Sequence, residues 1–439
     1  MAQETKWQVG VANVDVTPVG SVMMSGYAAR KKPSEGVRDP LLAKALVIDD
    51  GEGERGLLLT ADLLGFDRKF SDQVFSEVCE KTGLERRQIL INASHTHGGP
   101  VMGYRFLGSD EVPEKVASFN AMLITRLGEV AASAIADLKP ARLSIATGVA
   151  HFAMNRRRYT PREPINAPYP RGYADRSVPT LRIAGEDGKL RAVLLGYACH
   201  NTTLVSNNLK ISADYAGFAQ RKIEGEHPGV QAMFAQGCGG DVVPYPRGTY
   251  ELAEQHGEAL GEEVCRLLEE EDFQPVNGPL KIVLDTVDLP LEPEPTADEL
   301  EKMREKGGND ARKADRITRM MEAGAEWKAH YRTPIGMWQF GEDLTLVRLS
   351  GEVVSDYIPI LERALGPLGL WVLAYCSDYF GYVPSARVYR EGGYEARDIV
   401  NGHGALSQGV EQAIVEKAVE LAGQVGRDLG YTRGSRTPG

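Results

Sequence analysis

The chain has 439 residues, enough for one large domain or two of ordinary size and for a sizeable buried core. Its 50 Lys and Arg against 61 Asp and Glu leave a formal net charge of −11, the opposite of the electrostatic footprint of a nucleic-acid binder, so nucleic acid is set aside as a partner. No apolar run reaches the ~20 residues that cross a bilayer, so no transmembrane segment is expected.

The opening Met1-Ala2-Gln3-Glu4-Thr5-Lys6 lacks the parts of a signal peptide. An Ala-Gln-Glu start is also a common remnant of signal cleavage, so a secreted or periplasmic location is expected, with the cytoplasm as the alternative. The five cysteines, Cys79, Cys199, Cys238, Cys265 and Cys376, are scattered and form no Cys-x-x-Cys pair. They indicate neither a disulfide framework nor a thiolate zinc site, and any metal must be held by nitrogen and oxygen. Cys238 reads as a small buried hydrophobe rather than a reactive thiol.

In chain order, a strand at Gly56 to Ala61 leads to a helix over 69–82 and a second strand at Gln88 to Ala93. A long helix follows at 114–137. Further strands are expected near 142–148, 178–183, 192–198, 231–235, 280–288, 343–349 and 371–375, with helices near 250–271, 354–365 and 408–427. This alternation predicts an α/β fold, mixed sheets layered with helices, in a single catalytic domain over 1–430. Between 289 and 334 the composition turns to Pro, Glu, Lys and Arg, which reads as a helical excursion: a solvated hairpin, or alternatively a lid. The polar residues 431–439 are expected to be a disordered tail.

The strongest local signal is the strand Ile91-Asn92-Ala93 running into Ser94-His95-Thr96-His97-Gly98-Gly99-Pro100. If the backbone is still extended there, residues two apart project to one side, so His95 and His97 face one pocket. One can bind a metal while the other handles protons; two ordinary polar loop residues are the alternative. A second apolar strand ends on His200, where, taken alone, a satisfied core histidine is the more common reading. A third, Leu346 to Leu349, leads through Ser350-Gly351 to Glu352. Zinc hydrolases combine histidine nitrogen with carboxylate oxygen and leave room for water, and two histidines with Glu352 supply that set. The histidines at 151, 227, 256, 330 and 403 sit in no such setting and are read as structural. Gly237-Cys238-Gly239-Gly240 is a turn able to approach a ligand closely, or simply tightly packed. Of Tyr375, Tyr379, Tyr382, Tyr389 and Tyr394, most should pack, with one or two facing the site.

Taken in order, these motifs resemble the neutral/alkaline non-lysosomal ceramidase family, zinc amidases that cleave the N-acyl bond of ceramide. The resemblance begins at Gly10-Val11-Ala12-Asn13-Val14-Asp15-Val16-Thr17-Pro18, then Gly26-Tyr27-Ala28, the Ser94 to Pro100 turn, Asn155-Arg156 and Ser212-Ala213-Asp214. It ends with Gly240-Asp241-Val242-Val243-Pro244, Ser350-Gly351-Glu352, Gly381-Tyr382-Val383 and Tyr394-Glu395. The resemblance implies that His95, His200, Glu352 and Tyr382 are the Zn2+ ligands, that His97 transfers the proton, and that Arg156 and Tyr394 polarise the substrate carbonyl.

The implied activity is hydrolysis of an amide or ester bond by a zinc-activated water, on a small or medium acylated substrate with ceramide one candidate. The family's Gly-Asp-Val-Ser-Pro carries Val243 here in place of serine, which excludes a serine nucleophile at that position and alters head-group recognition. The chain ends at Gly439, where ceramidases of the family continue into an immunoglobulin-like C-terminal domain, so membrane lipids are the less favoured substrates. Two other readings stay open: a metal-dependent amidohydrolase on a (β/α)₈ barrel, and a binding protein that kept the metal but lost turnover.

Overall fold

Runs such as Leu57-Leu58-Leu59 and Ile89-Leu90-Ile91 are apolar at every position, so the sheet that contains them must be covered on both faces. The computed structural model, which describes residues 7–104, 112–270, 272–322, 324, 327–396, 400 and 404–429, meets this demand with four layers, helix, sheet, sheet and helix. The larger sheet runs Gln231–Gln236, Leu190–Tyr197, Ser177–Gly185, Lys139–Val149, Trp7–Asp15, Leu42–Asp49, Arg55–Ala61 and Ile89–Ala93, with Gln274–Val276 also paired to Lys139–Val149. Its middle is antiparallel, and the pairs at its two ends are parallel. Parallel neighbours need a crossover, which the helices Asp214–Glu226 and Arg68–Thr82 supply. The smaller sheet runs Leu280–Pro290, His330–Phe340, Leu344–Leu349 and Leu370–Leu373.

Side-chain alternation assigns the faces. Leu58 and Leu90 enter the core between the sheets, against Trp338, Phe340, Leu346 and Trp371. Leu57, Leu59, Ile89 and Ile91 turn the other way, onto Phe70, Val74, Leu123 and Leu127 of the helices Arg68–Thr82 and Glu114–Ala136. Val193, Leu195 and Phe234 meet helices Asp214–Glu226 and Tyr250–Glu270. The outer face of the small sheet, with Met337, Val347 and Leu349, is closed by Tyr357–Leu365 and Val410–Val425.

Gly10 shows how closely the layers approach: a Cβ there would stand 1.9 Å from the carbonyl oxygen of Ala134, at the end of the long helix. Gly10→Ala is therefore expected to destabilise the fold by roughly 1–3 kcal/mol, the usual cost of forcing extra atoms into a packed interior. Thermal unfolding checks this, and an unchanged midpoint would show that the helix end can yield.

The structure differs from the sequence reading in several elements. Trp7–Asp15 and Leu42–Asp49 are strands that periodicity alone did not mark, the first because Gln8, Gly10 and Asn13 interrupt its apolar pattern. Helix Asp214–Glu226 was also not anticipated, since Gly217 and Gly225 lower its apparent helical preference. The excursion is helical as expected, but it is an insertion in a β-hairpin. Helices Ala297–Lys306 and Gly308–Glu322 lie between Pro290 and His330, which pair with each other, so residues 330–334 belong to a strand. Thr296 and Glu299 form a capping box, and Leu300, Ala314 and Ile317 give the hairpin its own small core. His403 and the expected disordered tail 431–439 lie outside the described residues. Among those described, no helix is long and apolar enough to cross a membrane.

Candidate metal centre and active site

At one end of the sandwich, strands from both sheets stop and their loops meet. Asn92, the penultimate residue of Ile89–Ala93, is fully buried and staples the sheets together: its amide nitrogen donates to the Ala374 carbonyl at 2.7 Å, and its oxygen accepts from the Gln236 N–H at 2.8 Å. His95 follows that strand and His200 follows Leu190–Tyr197. Beyond Leu344–Leu349, Glu352 pairs in parallel with Tyr382, bringing two remote segments side by side.

The backbone at His95 is not extended as the sequence reading supposed. Its φ is +64°, left-handed, and Tyr375 at +56° and Ser377 at +62° share that region. Such residues persist only where their surroundings over-determine them. Here the His95 N–H donates to the Leu63 carbonyl at 2.9 Å, and the Tyr375 ring lies 4.4 Å from the imidazole. His95 and His97 still converge, with ring centroids 4.9 Å apart, because the turn redirects His95.

The imidazoles of His95, His97 and His200 are all buried and form a group able to hold a metal. Two of them are pinned from behind. His95 Nδ1 sits 2.7 Å from the Leu64 carbonyl oxygen, and His200 Nδ1 sits 2.6 Å from that of Gly239. Carbonyls only accept, so both Nδ1 atoms carry a proton, and in the neutral imidazole Nε2 then presents its lone pair inward. Those Nε2 atoms lie 3.3 and 3.2 Å from one oxygen, Glu352 Oε2. Burial, then the charge of Arg156, lowers the His200 pKa to about 4, leaving it neutral at pH 7. Burial alone would raise the Glu352 carboxyl, but positive charge at the His95 and His200 rings outweighs it and holds the group well below the usual range, the effect a cation in that place would also have. Lone pairs and a carboxylate thus face one another across about a hydrogen-bond length, an arrangement that a cation between them would satisfy.

His97 differs. Its Nε2 is 3.2 Å from His95 Nε2, while its buried Nδ1 has no hydrogen-bond partner among the described residues. Burial, reinforced by His95 and His200, lowers its pKa well below the usual imidazole value.

Arg156 lies between the short strands Ala153–Asn155 and Arg157–Arg158 and is also buried. Its Nη2 donates to the Tyr382 hydroxyl at 3.0 Å and the Gly240 carbonyl at 2.8 Å, and its Nη1 is 3.5 Å from His200 Nε2. Tyr394, 51% exposed, has its ring 5.8 Å from the Arg156 guanidinium carbon and 5.2 Å from the Tyr382 ring. All seven residues singled out in the sequence are therefore gathered at one place. His95 is the hub of four of them, touching His97 through Nε2 and sharing Glu352 Oε2 with His200, while Tyr382 joins through Arg156.

Sequence reasoning gave no role to several neighbours. Tyr379 donates its hydroxyl to Glu352 Oε1 at 2.8 Å. Glu395 is buried and spans two guanidinium groups, Arg156 Nε at 2.9 Å and Arg157 Nη1 at 2.6 Å. The crowding of tyrosines between 375 and 394 was the available signal for Tyr379, and the pairing of Tyr394 with Glu395 was the one for Glu395. The Gly-rich turn takes the tight-packing reading: a Cβ on Gly240 would stand 2.6 Å from the Glu352 carbonyl oxygen. Cys238 is buried in the apolar core, with its thiol pKa pushed up by burial, as expected of an inert residue.

A four-layer α/β sandwich with a buried group of three histidines able to hold a metal, beside a buried carboxylate at its strand ends, is the class that fold and site define. Its open mixed sheets set aside the (β/α)₈ barrel. Residues 7–324 match the family model described as neutral/alkaline non-lysosomal ceramidase, N-terminal, and the chain belongs to that family. It is 25% identical over 269 residues to neutral ceramidase A of Dictyostelium discoideum, covering 56% of this chain and 37% of that protein. It is 27% identical over 256 residues to the neutral ceramidase of Mycobacterium tuberculosis, covering 54% of this chain and 40% of the relative. The matches thus span well under half the length of these curated relatives. In structure it is similar to the neutral ceramidase from Pseudomonas aeruginosa, with a TM-score of 0.75, 19% identity, and coverage of 97% of this chain and 75% of that one. A ceramidase complexed with C2 superimposes with a TM-score of 0.73 at 19% identity, covering 99% of this chain and 78% of the other.

Proposed function

We propose that the chain is a zinc-dependent hydrolase cleaving an amide or ester bond of an acylated molecule, N-acyl amides of the ceramide kind first among them. The observation that carries this reading is the convergence of His95 Nε2, His200 Nε2 and Glu352 Oε2, with both histidine-to-carboxylate separations at 3.2–3.3 Å. Donors held at 2.0–2.1 Å by one tetrahedral zinc ion stand about 3.3 Å apart, so these atoms are spaced for it. His95, His200 and Glu352 would hold the ion, with the Tyr382 hydroxyl as fourth donor. When bound, zinc polarises a carbonyl and lowers the pKa of a bound water to about 7.

The chain's own residues supply the rest. Arg156, fixed by Glu395, directs its remaining donors toward the centre, and with Tyr394 it would bind the carbonyl oxygen as negative charge grows there. His97 is neutral, so its Nε2 can accept the proton of the attacking water and return it to the leaving nitrogen or oxygen. Val243, buried and paired with Met154, offers no hydroxyl, so no serine nucleophile operates there.

The test is a panel of short-chain ceramide, N-acyl amino alcohols and simple esters, assayed with zinc and after chelation. Chelator-sensitive release of the acyl group from at least one N-acyl substrate is expected. One zinc per chain with no turnover on any substrate would favour a metal-retaining binding protein instead.

A further inference from the structure

The Gly26-Tyr27 motif has no part in the chemistry above, yet its loop wraps the turn that carries His97. Ser25 N–H donates to the Gly99 carbonyl at 3.0 Å, and Tyr27 lies edge-on to the His97 imidazole with ring centroids 4.6 Å apart. A Cβ on Gly26 would stand 2.4 Å from His97 Cγ and Nδ1, so only glycine lets the loop pass this close. The Tyr27 hydroxyl is anchored on the Leu204 carbonyl at 3.0 Å.

Arg30 completes the grip. It is 6% exposed, and its bonds go to backbone carbonyls: Nη1 to those of His97 and, at 2.8 Å, Ser25, and Nη2 to that of Asn208 at 3.2 Å. Its guanidinium also sits 4.9 Å from the Tyr27 ring centre. These contacts matter because of what His97 lacks. His95 and His200 have their rings fixed by carbonyls on Nδ1, whereas His97 Nδ1 has no partner among the described residues. A proton carrier gains from having no such tie, since both nitrogens stay available, but its ring must then be oriented by packing.

We propose that Arg30 and Tyr27 are positioning residues for His97, Arg30 fixing its main chain and Tyr27 its ring, independently of metal binding. The consequence for turnover rests on the hydrolase reading above, so the test includes a readout that does not. Crystal structures of zinc-loaded Arg30→Met and Tyr27→Leu are expected to show the His97 ring displaced or in more than one rotamer, with His95 and His200 unmoved and zinc content unchanged. In the same variants kcat is expected to fall on the order of 10²-fold, as for a catalytic group misplaced by about 1 Å, with KM little changed. Arg30→Lys should recover part of the loss by reaching some of the same carbonyls. A His97 ring that keeps its place in both variants, or loss of zinc in parallel with kcat, would overturn the proposal. A displaced ring in a protein whose wild type hydrolyses nothing would uphold the positioning role and overturn only the hydrolase reading.

Discussion

Alanine at His200 or at Glu352 is expected to release the ion and abolish chelator-sensitive hydrolysis. Each substitution removes a donor and leaves the other facing a void, so affinity should fall by more than the ~10–100-fold that loss of an outer-shell partner costs. Tyr379→Phe provides that smaller comparison, since it deletes only the hydroxyl bonded to Glu352 Oε1. Zinc stoichiometry and a competition titration against a chelator rank the variants. Undiminished zinc in both alanine variants would remove these two residues from the donor set. His97→Ala separates the roles of the two histidines of the turn: as a proton carrier its loss should spare the zinc, whereas as a third nitrogen donor its loss should weaken zinc binding as His95→Ala does.

Arg156→Met is expected to lower kcat by roughly 10²–10³-fold, the usual consequence of deleting a donor aimed at the developing oxyanion. The guanidinium is held on three sides, by Glu395, Gly240 and Tyr382, and burial that would lower its pKa is outweighed by Tyr382 and Glu395, so it stays charged. Lysine at this position should not restore activity, because one ammonium cannot reproduce the planar fork that meets these three acceptors together. The protein should still fold, since Glu395 keeps its second partner in Arg157. Equal kcat in the methionine variant, with zinc bound, would mean that Arg156 only orders Tyr382.

The residues that converge stood out in the sequence more plainly than the elements that bring them together. Histidines or a glutamate just past an apolar strand are conspicuous, and His95, His200 and Glu352 stand in that setting. What joined them could not be read from spacing: Glu352 meets His200 only because the small sheet packs face to face on the large one, and Tyr382 arrives by pairing with Glu352. The left-handed turn at His95 leaves no trace in the sequence for a physical reason. A non-glycine residue in the left-handed region has no local signature when packing, here the ring of Tyr375 and the carbonyls of Leu63 and Leu64, imposes it. Tyr379 and Glu395 were passed over because each acts on another functional residue rather than at the centre. His330–Phe340 was hidden by its charged flank and by Pro334, although its register with Leu280–Pro290 is continuous.

Anomalous diffraction measured on both sides of the zinc edge, from crystals of the chain grown with zinc, decides the identity and place of the ion. One strong peak is expected, enclosed by His95 Nε2, His200 Nε2 and Glu352 Oε2, with the Tyr382 hydroxyl turned toward it. A cluster that stays without a peak at saturating zinc, or a peak bound by other residues, would contradict the assignment.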